Sequence, residues 1–206
     1  LELQVADDVV FKPGQYVRIQ PEGTDVSRSY SMANAPGVNR LEFFIRSVPG
    51  GAFSQWLAGA KVGDAVQLSA PHGTFFLRDE DRPRLFIAGG TGVAPFLSML
   101  RSMAANPGAQ RTTFVIGART PGHLFALDEL KRMSAQLSGM DLQIAVEQDA
   151  GAGCRTGYPT DLIHKLGLDP TTRVYLCGPP PMVEAGRRAA EAAGLPRADV
   201  LCERFI

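Results

Sequence analysis

Arg84-Leu85-Phe86-Ile87-Ala88-Gly89-Gly90-Thr91-Gly92-Val93-Ala94-Pro95 passes through three regimes in twelve positions. The apolar run predicts a buried strand over 84–88. Phe96, Met99, Leu100 and Met103 then recur at helical spacing and predict a helix over 93–103. A strand that feeds a helix through a glycine turn is the opening unit of a parallel sheet. The rhythm repeats downstream: strands over 112–118, 142–147, 173–177 and 201–205, and helices over 127–137, 159–166 and 180–193. The last of these helices has Pro180 in its first turn and Gly194 just past its end. Strands alternating with helices predict an α/β unit with a five-stranded-type parallel sheet, covered on both faces.

Upstream of residue 78 the rhythm is different. Short runs over 15–20, 28–32, 41–47 and 65–69, rich in Val, Ile, Tyr and Phe and bounded by Gly, Pro or Asn, predict strands. Leu1, Leu3 and Val5 alternate with Glu2 and Gln4, so the chain opens inside a strand-like pattern. One short helix is expected over 53–57, ending before Gly59. Several short strands with turn signals predict an antiparallel β-barrel or sandwich. The polar stretch 78–83, RDEDRP, reads as a hinge, giving units of 1–78 and 84–206.

Lys and Arg total 21, Asp and Glu total 21, and the 206-residue chain is formally neutral. A neutral chain argues against nucleic acid, which needs an excess of cations. No run approaches the roughly 18 apolar residues of a membrane span. The 22 glycines and 15 prolines exceed the roughly 12% of an average domain and suit a protein that wraps ligands in loops. Cys154, Cys177 and Cys202 are too few for a disulfide framework, lack zinc spacing and fall short of the four thiolates of an iron–sulfur cluster. A reducing, cytoplasmic setting is the expectation. His72, His123 and His164 share no metal or triad spacing, and no metal site is expected.

Four segments carry candidate chemistry. The Gly89–Gly92 turn offers free N–H groups at a helix start, where a phosphate binds, or is a glycine turn with no ligand. It lacks the Gly-Lys-Ser/Thr of a Walker loop. Pro95 stands where the Rossmann fingerprint has its third small residue, and Gly117-Ala118-Arg119 ends the second strand without an acid. A dinucleotide held in another way is expected. Arg28-Ser29-Tyr30-Ser31 can pair with a diphosphate, stack on a flat ring and hydrogen-bond its edge, or it is a solvated strand face. Gly50-Gly51-Ala52-Phe53-Ser54 makes a second anion cradle or a plain turn. Cys177-Gly178-Pro179-Pro180 ends a parallel strand, where such sheets bind ligands; Cys177 is a site residue or a small buried hydrophobe.

RSYS, GGAFS, GGTGVAP, CGPPPM and a terminal Glu203-Arg204-Phe205 resemble, in order and spacing, the ferredoxin–NADP reductase family over the whole chain. With residues 155–161 and 174–183 they are most similar to the NADH-dependent reductase component of aromatic-ring dioxygenases of the benzoate, toluate and anthranilate type. The resemblance implies a barrel holding FAD and an α/β unit holding the nicotinamide nucleotide. It implies Arg28 on the FAD diphosphate with Ser29 beside it, Tyr30 on the isoalloxazine and Ser31 near flavin N5. It implies Ile45, Arg46 and Val48 along the adenine and diphosphate, with Gly51, Phe53 and Ser54 around the phosphates. Gly90, Thr91, Gly92 and Pro95 would shape the nucleotide site, and Cys177 and Gly178 would flank the nicotinamide. Glu203 would lie at the active site and Phe205, followed here by Ile206, over the flavin face. Ser31, Cys177 and Glu203 are then the catalytic candidates, none as a nucleophile. The resembled barrel starts one strand before Leu1, so residues 1–78 would be an N-terminally incomplete barrel.

NADPH-using members of that family grip the 2′-phosphate with Tyr and basic side chains after the second strand. Here Ala126 and Leu127 stand in those places, Asp128 and Glu129 follow, and Arg119 is the cation in reach. Unpaired acids repel a 2′-phosphate, so NADH is expected over NADPH. Electrons would leave the flavin singly for a 2Fe–2S centre in another domain, a separate ferredoxin or an oxygenase component. Two alternatives stay open: a stand-alone NADH:flavin or flavodoxin reductase, and a non-catalytic nucleotide-binding module.

Overall fold

A computed structural model describes residues 1–106, 108 and 110–205; Ile206 lies outside them. In the first part, β1 (Glu2–Gln4) pairs antiparallel with β4 (Arg40–Glu42). Strand β2 (Tyr16–Pro21) lies between β3 (Arg28–Ser31) and β5 (Val66–Leu68), again antiparallel. Period-two alternation builds the core: Val17, Ile19 and Pro21 are buried, while Arg18 on the other face is exposed. Val17 and Ile19 meet Phe11, Met32, Leu41, Phe43 and Phe53. Helix α1 (Ala52–Gly59) lays Phe53 into that core and includes Gly59, two residues beyond the expected end; the Ala60 N–H closes it on the Leu57 carbonyl.

The strand expected over 41–47 stops at Glu42. Beyond it the Phe43 N–H still donates to the Leu1 carbonyl at 2.9 Å, and residues 43–48 are in no strand. The alternation persists without the ladder. Leu41, Phe43 and Ile45 face the first core, while Phe44 packs against the core of the second part.

In the second part β6 (Arg84–Gly89), β7 (Thr112–Ala118), β8 (Met140–Val146), β9 (Arg155–Thr156), β10 (Arg173–Gly178) and β11 (Val200–Arg204) form one parallel sheet in the order β11-β10-β6-β7-β8-β9. The five strands legible in the sequence are there. The sixth, β9, is a two-residue edge strand too short to leave a periodic signal. Phe86, Ala88, Phe114 and Tyr175 face α2 (Ala94–Ala105) and α3 (Leu127–Gln136). Leu85, Ile87, Val115, Val174 and Leu176 face α4 (Pro180–Ala192) and the 3₁₀ turn Pro159–Lys165. Both faces are covered, so β6 is buried at every position and reads as a continuous apolar run. The order reverses between β10 and β6, which opens a crevice at their carboxyl ends.

The segment 78–83, expected as a hinge, is clasped along its length. Arg82 chelates Asp199 through two hydrogen bonds of 3.1 and 2.7 Å, and Glu80 accepts from Arg173 at 2.8 Å. The Arg78 N–H donates to the buried Tyr175 hydroxyl at 3.0 Å. Phe75 packs edge-on against Phe96 and Tyr175, so aromatic rings join the two parts. Among the described residues no helix is long and apolar enough to cross a membrane.

Candidate functional site

The glycine turn after β6 does two different jobs. Gly90 has φ +58°, and a Cβ built there would meet nothing within 4 Å: its outer side is open. Gly92 has no such room, because a Cβ would stand 2.4 Å from the Cys177 carbonyl oxygen. The turn is therefore pressed onto the end of β10. Residues Gly90–Val93, with Thr91 half-buried, form one 3₁₀ turn that runs straight into α2, with Pro95 in its first turn, where no N–H is missed.

Cys177 is fully buried and stands in register with Glu203 on β11. Burial, and then the Glu203 charge, push its thiol well above the usual range. Burial of this kind disfavours a thiolate, and the side chain packs in the core that also holds Val93, Phe96 and Tyr175. Its neighbour Gly178 accepts a hydrogen bond from the Phe205 N–H at 3.0 Å, which extends the sheet contact past β11.

Ser31 ends β3 and is 4% exposed. Its Oγ donates to Glu203 Oε2 at 3.4 Å. Burial raises the Glu203 carboxyl to about 7, against the lowering effect of the Ser31 hydrogen bond. A carboxyl poised near neutrality at the carboxyl ends of β10 and β11 can hold or release a proton there.

A second group lies on the barrel. Gly51 caps α1 with no side-chain hydrogen bond and no acid in the first turn, so the first N–H groups of α1 keep their positive end uncompensated. Ser54 Oγ accepts from the Val48 N–H at 2.9 Å, which leaves its hydroxyl hydrogen free to donate outward. The Tyr30 ring centroid stands 5.0 Å from that of Phe53. Burial raises the Tyr30 hydroxyl pKa and Arg28 lowers it. Arg28 and Ser29 are exposed, and Arg28 donates to its neighbour's carbonyl, Ser27, at 2.8 Å. Arg46 and Val48 are exposed, whereas Ile45 packs on the barrel core.

Beyond β7, Arg119 is exposed and Ala126 caps α3 with φ +52°. Asp128 is exposed, but Glu129 is held by Arg101 at 2.8 Å, which partly offsets its charge. Arg119 is also not the sole cation near this edge, because exposed Arg155 on β9 stands level with Ala145 of β8.

Residues 1–77 match the oxidoreductase FAD-binding domain and residues 86–188 the oxidoreductase NAD-binding domain. This chain belongs to the ferredoxin–NADP reductase family of FAD- and NAD-binding oxidoreductases. Among its relatives, the toluate 1,2-dioxygenase electron transfer component of Pseudomonas putida is 37% identical over 97% of this chain and 60% of its own length. The propane 2-monooxygenase reductase component of Rhodococcus jostii is also 37% identical, over 95% of this chain and 55% of its own. The crystal structure of an Amycolatopsis cytochrome P450 reductase superposes with a TM-score of 0.91 at 29% identity, covering 99% of this chain and 64% of that one. The chain thus spans about 60% of the length of the relatives it matches.

The donors present suit the family's cofactors. The uncapped start of α1 with the free Ser54 hydroxyl fits a diphosphate, and the open side of Gly90 at the sheet crevice fits a second nucleotide. Sequence reasoning brought Ser31, Gly92, Cys177, Gly178 and Glu203 forward separately, and the structure brings them together. It missed Arg101, whose charge stands inside the apolar spacing of α2. It also missed the Phe75–Tyr175 contact, whose partners lie far apart in the chain.

Proposed function

We propose that these residues form the FAD- and NADH-handling portion of an oxygenase reductase. The observation that carries this reading is the Ser31–Glu203 hydrogen bond, which sets the barrel strand β3 against the sheet crevice. When bound, FAD supplies the acceptor for the NADH hydride and releases the electrons one at a time. Arg28 and the first turn of α1 would hold its diphosphate, Tyr30 would pack against its ring, and Ser31 would donate to its edge. The nucleotide would lie along the Gly90 turn, with Cys177 and Gly178 as an apolar wall and Phe205 beside it. With a proton at Oε2, Glu203 would become the donor to Ser31 Oγ and leave the Ser31 hydroxyl hydrogen for the flavin edge.

NADH is the proposed donor over NADPH. Ala126 and Leu127 offer no donor to a 2′-phosphate, and exposed Asp128 repels one. The proposed acceptor is an iron–sulfur centre, in another domain or a separate ferredoxin, that serves an oxygenase in the cytoplasm. The toluate relative supports an aromatic-ring oxygenase, and the propane relative at equal identity favours an alkane oxygenase as the second reading. Anaerobic absorbance spectra before and after NADH test the core of this proposal. Flavin bands that bleach on NADH are expected. Absent bands, or bands that persist, would instead support a non-catalytic nucleotide-binding module.

A further inference from the structure

Arg101 stands in the third turn of α2, half-buried, and uses its whole fork. Nε and Nη2 chelate the Glu129 carboxylate at 2.8 and 3.0 Å. Nη1 donates to the Ala33 carbonyl at 3.0 Å and to the Glu42 carboxylate. These acceptors come from opposite sides of the molecule. Glu42 lies on β4, and Ala33 follows Ser31 by two residues. Glu129 is in the first turn of α3, directly after the loop at the end of β7. Among the described residues, Arg101–Glu42 is the only ion pair between residues 1–78 and 84–205.

The barrel side of the contact is itself well braced. The Ala33 N–H donates to the Glu42 carbonyl at 2.8 Å, and the Glu42 N–H donates to Asn34 Oδ1 at 2.9 Å. A displacement of β4 therefore carries the end of β3, and with it Ser31. A planar guanidinium with five fixed donors resists shear between its acceptors in a way one ammonium cannot. Two carboxylates share this single cation, so without it Glu42 and Glu129 would repel each other across the junction.

We propose that Arg101 is a positioning residue that fixes the end of β3 against the nucleotide loop, and so sets the alignment of Ser31 for hydride transfer. This rests on the hydride-transfer reading above, and two separate readouts keep their failures apart.

The first readout uses FAD-loaded chain and follows flavin bleaching by stopped flow. Arg101→Met should retain FAD. Its bleaching rate at saturating NADH should fall at least about tenfold, with half-saturating NADH changed less than about twofold. Arg101→Lys should recover little of the rate. Arg101→Met with Glu42→Gln should recover part of it, because the repulsion is relieved; a simple packing defect would not respond in that way. The second readout uses FAD-stripped chain, where amide exchange of Ala33 should quicken at least about tenfold in Arg101→Met. Wild-type bleaching in Arg101→Met, or unchanged Ala33 exchange, overturns the proposal. If wild-type chain does not bleach, the hydride-transfer reading fails, and with it the assigned role of Arg101. Should Arg101→Met fail to fold, Glu42→Gln, which leaves α2 and α3 intact, must slow bleaching and quicken Ala33 exchange, or the proposal is overturned.

Discussion

Ser31 Oγ and Glu203 Oε2, 172 positions apart in the chain, meet at 3.4 Å where the end of β3 faces the edge strand β11. The hydroxyl donates and the carboxylate accepts, so each depends on the other. Ser31→Ala should leave FAD binding intact and slow flavin reduction by NADH by about tenfold or more, the scale of one hydrogen bond at about 1.4 kcal/mol. Single-turnover bleaching measures it, and an unchanged rate would remove Ser31 from the mechanism.

Glu203 should make stability pH-dependent. Its folded value is about 7 against 4.5 unfolded. Between these values the folded chain holds a proton that the unfolded chain has released, so stability falls as pH rises. The contribution is full below pH 4.5, declines towards pH 7 and is absent above it. The span is up to about 3 kcal/mol, less what solvent screens. Urea titrations from pH 4.5 to 8 on FAD-stripped chain should show this slope, and Glu203→Gln should flatten it.

The two glycines of the Gly90 turn should respond differently to alanine. At Gly92 a Cβ has no room beside the Cys177 carbonyl, so Gly92→Ala should cost about 3 kcal/mol or more and pull the turn off β10. At Gly90 the space is open and only the left-handed backbone is strained, at about 1 kcal/mol. Thermal unfolding midpoints of the two variants check the ranking; equal losses would contradict it.

Nucleotide preference should turn on Asp128, which is exposed, more than on Glu129, whose charge Arg101 partly offsets. NADH should show the higher kcat/KM, and Asp128→Lys should narrow the ratio by about fivefold, chiefly through KM for NADPH. A Glu129→Gln change should narrow it less. Steady-state kinetics with both nucleotides decides, and a wild-type preference for NADPH would refute the reading of this loop.

Tyr175 is fully buried, and its hydroxyl accepts from the Arg78 N–H. Tyr175→Phe would leave that N–H unpaired in the clasped segment, at about 1–2 kcal/mol. Chemical denaturation should register the loss.

Much of this protein is local and was written in the chain. The apolar runs of β6 and β7, the helical spacing of α2 and the glycine turn between strand and helix each follow from side chains within a few residues of one another. So did the candidate residues, because glycines, a strand-end cysteine and a serine in a strand declare themselves by type and place. The rest depended on partners distant in sequence. The strand expected over 41–47 ended at Glu42 because hydrogen-bond partners, not β-propensity, decide where a ladder stops. β9 formed because β8 offered it an edge. The full burial of Cys177 was decided only where the Gly92 turn and β11 stand against it. The Ser31–Glu203 pair and the Arg101 clasp exist because the barrel is pressed against the sheet by Phe75, Phe96 and Tyr175. Burial where the end of β3 meets β11 withdraws Glu203 from water and moves its proton affinity towards neutrality, and no local pattern encodes such a shift.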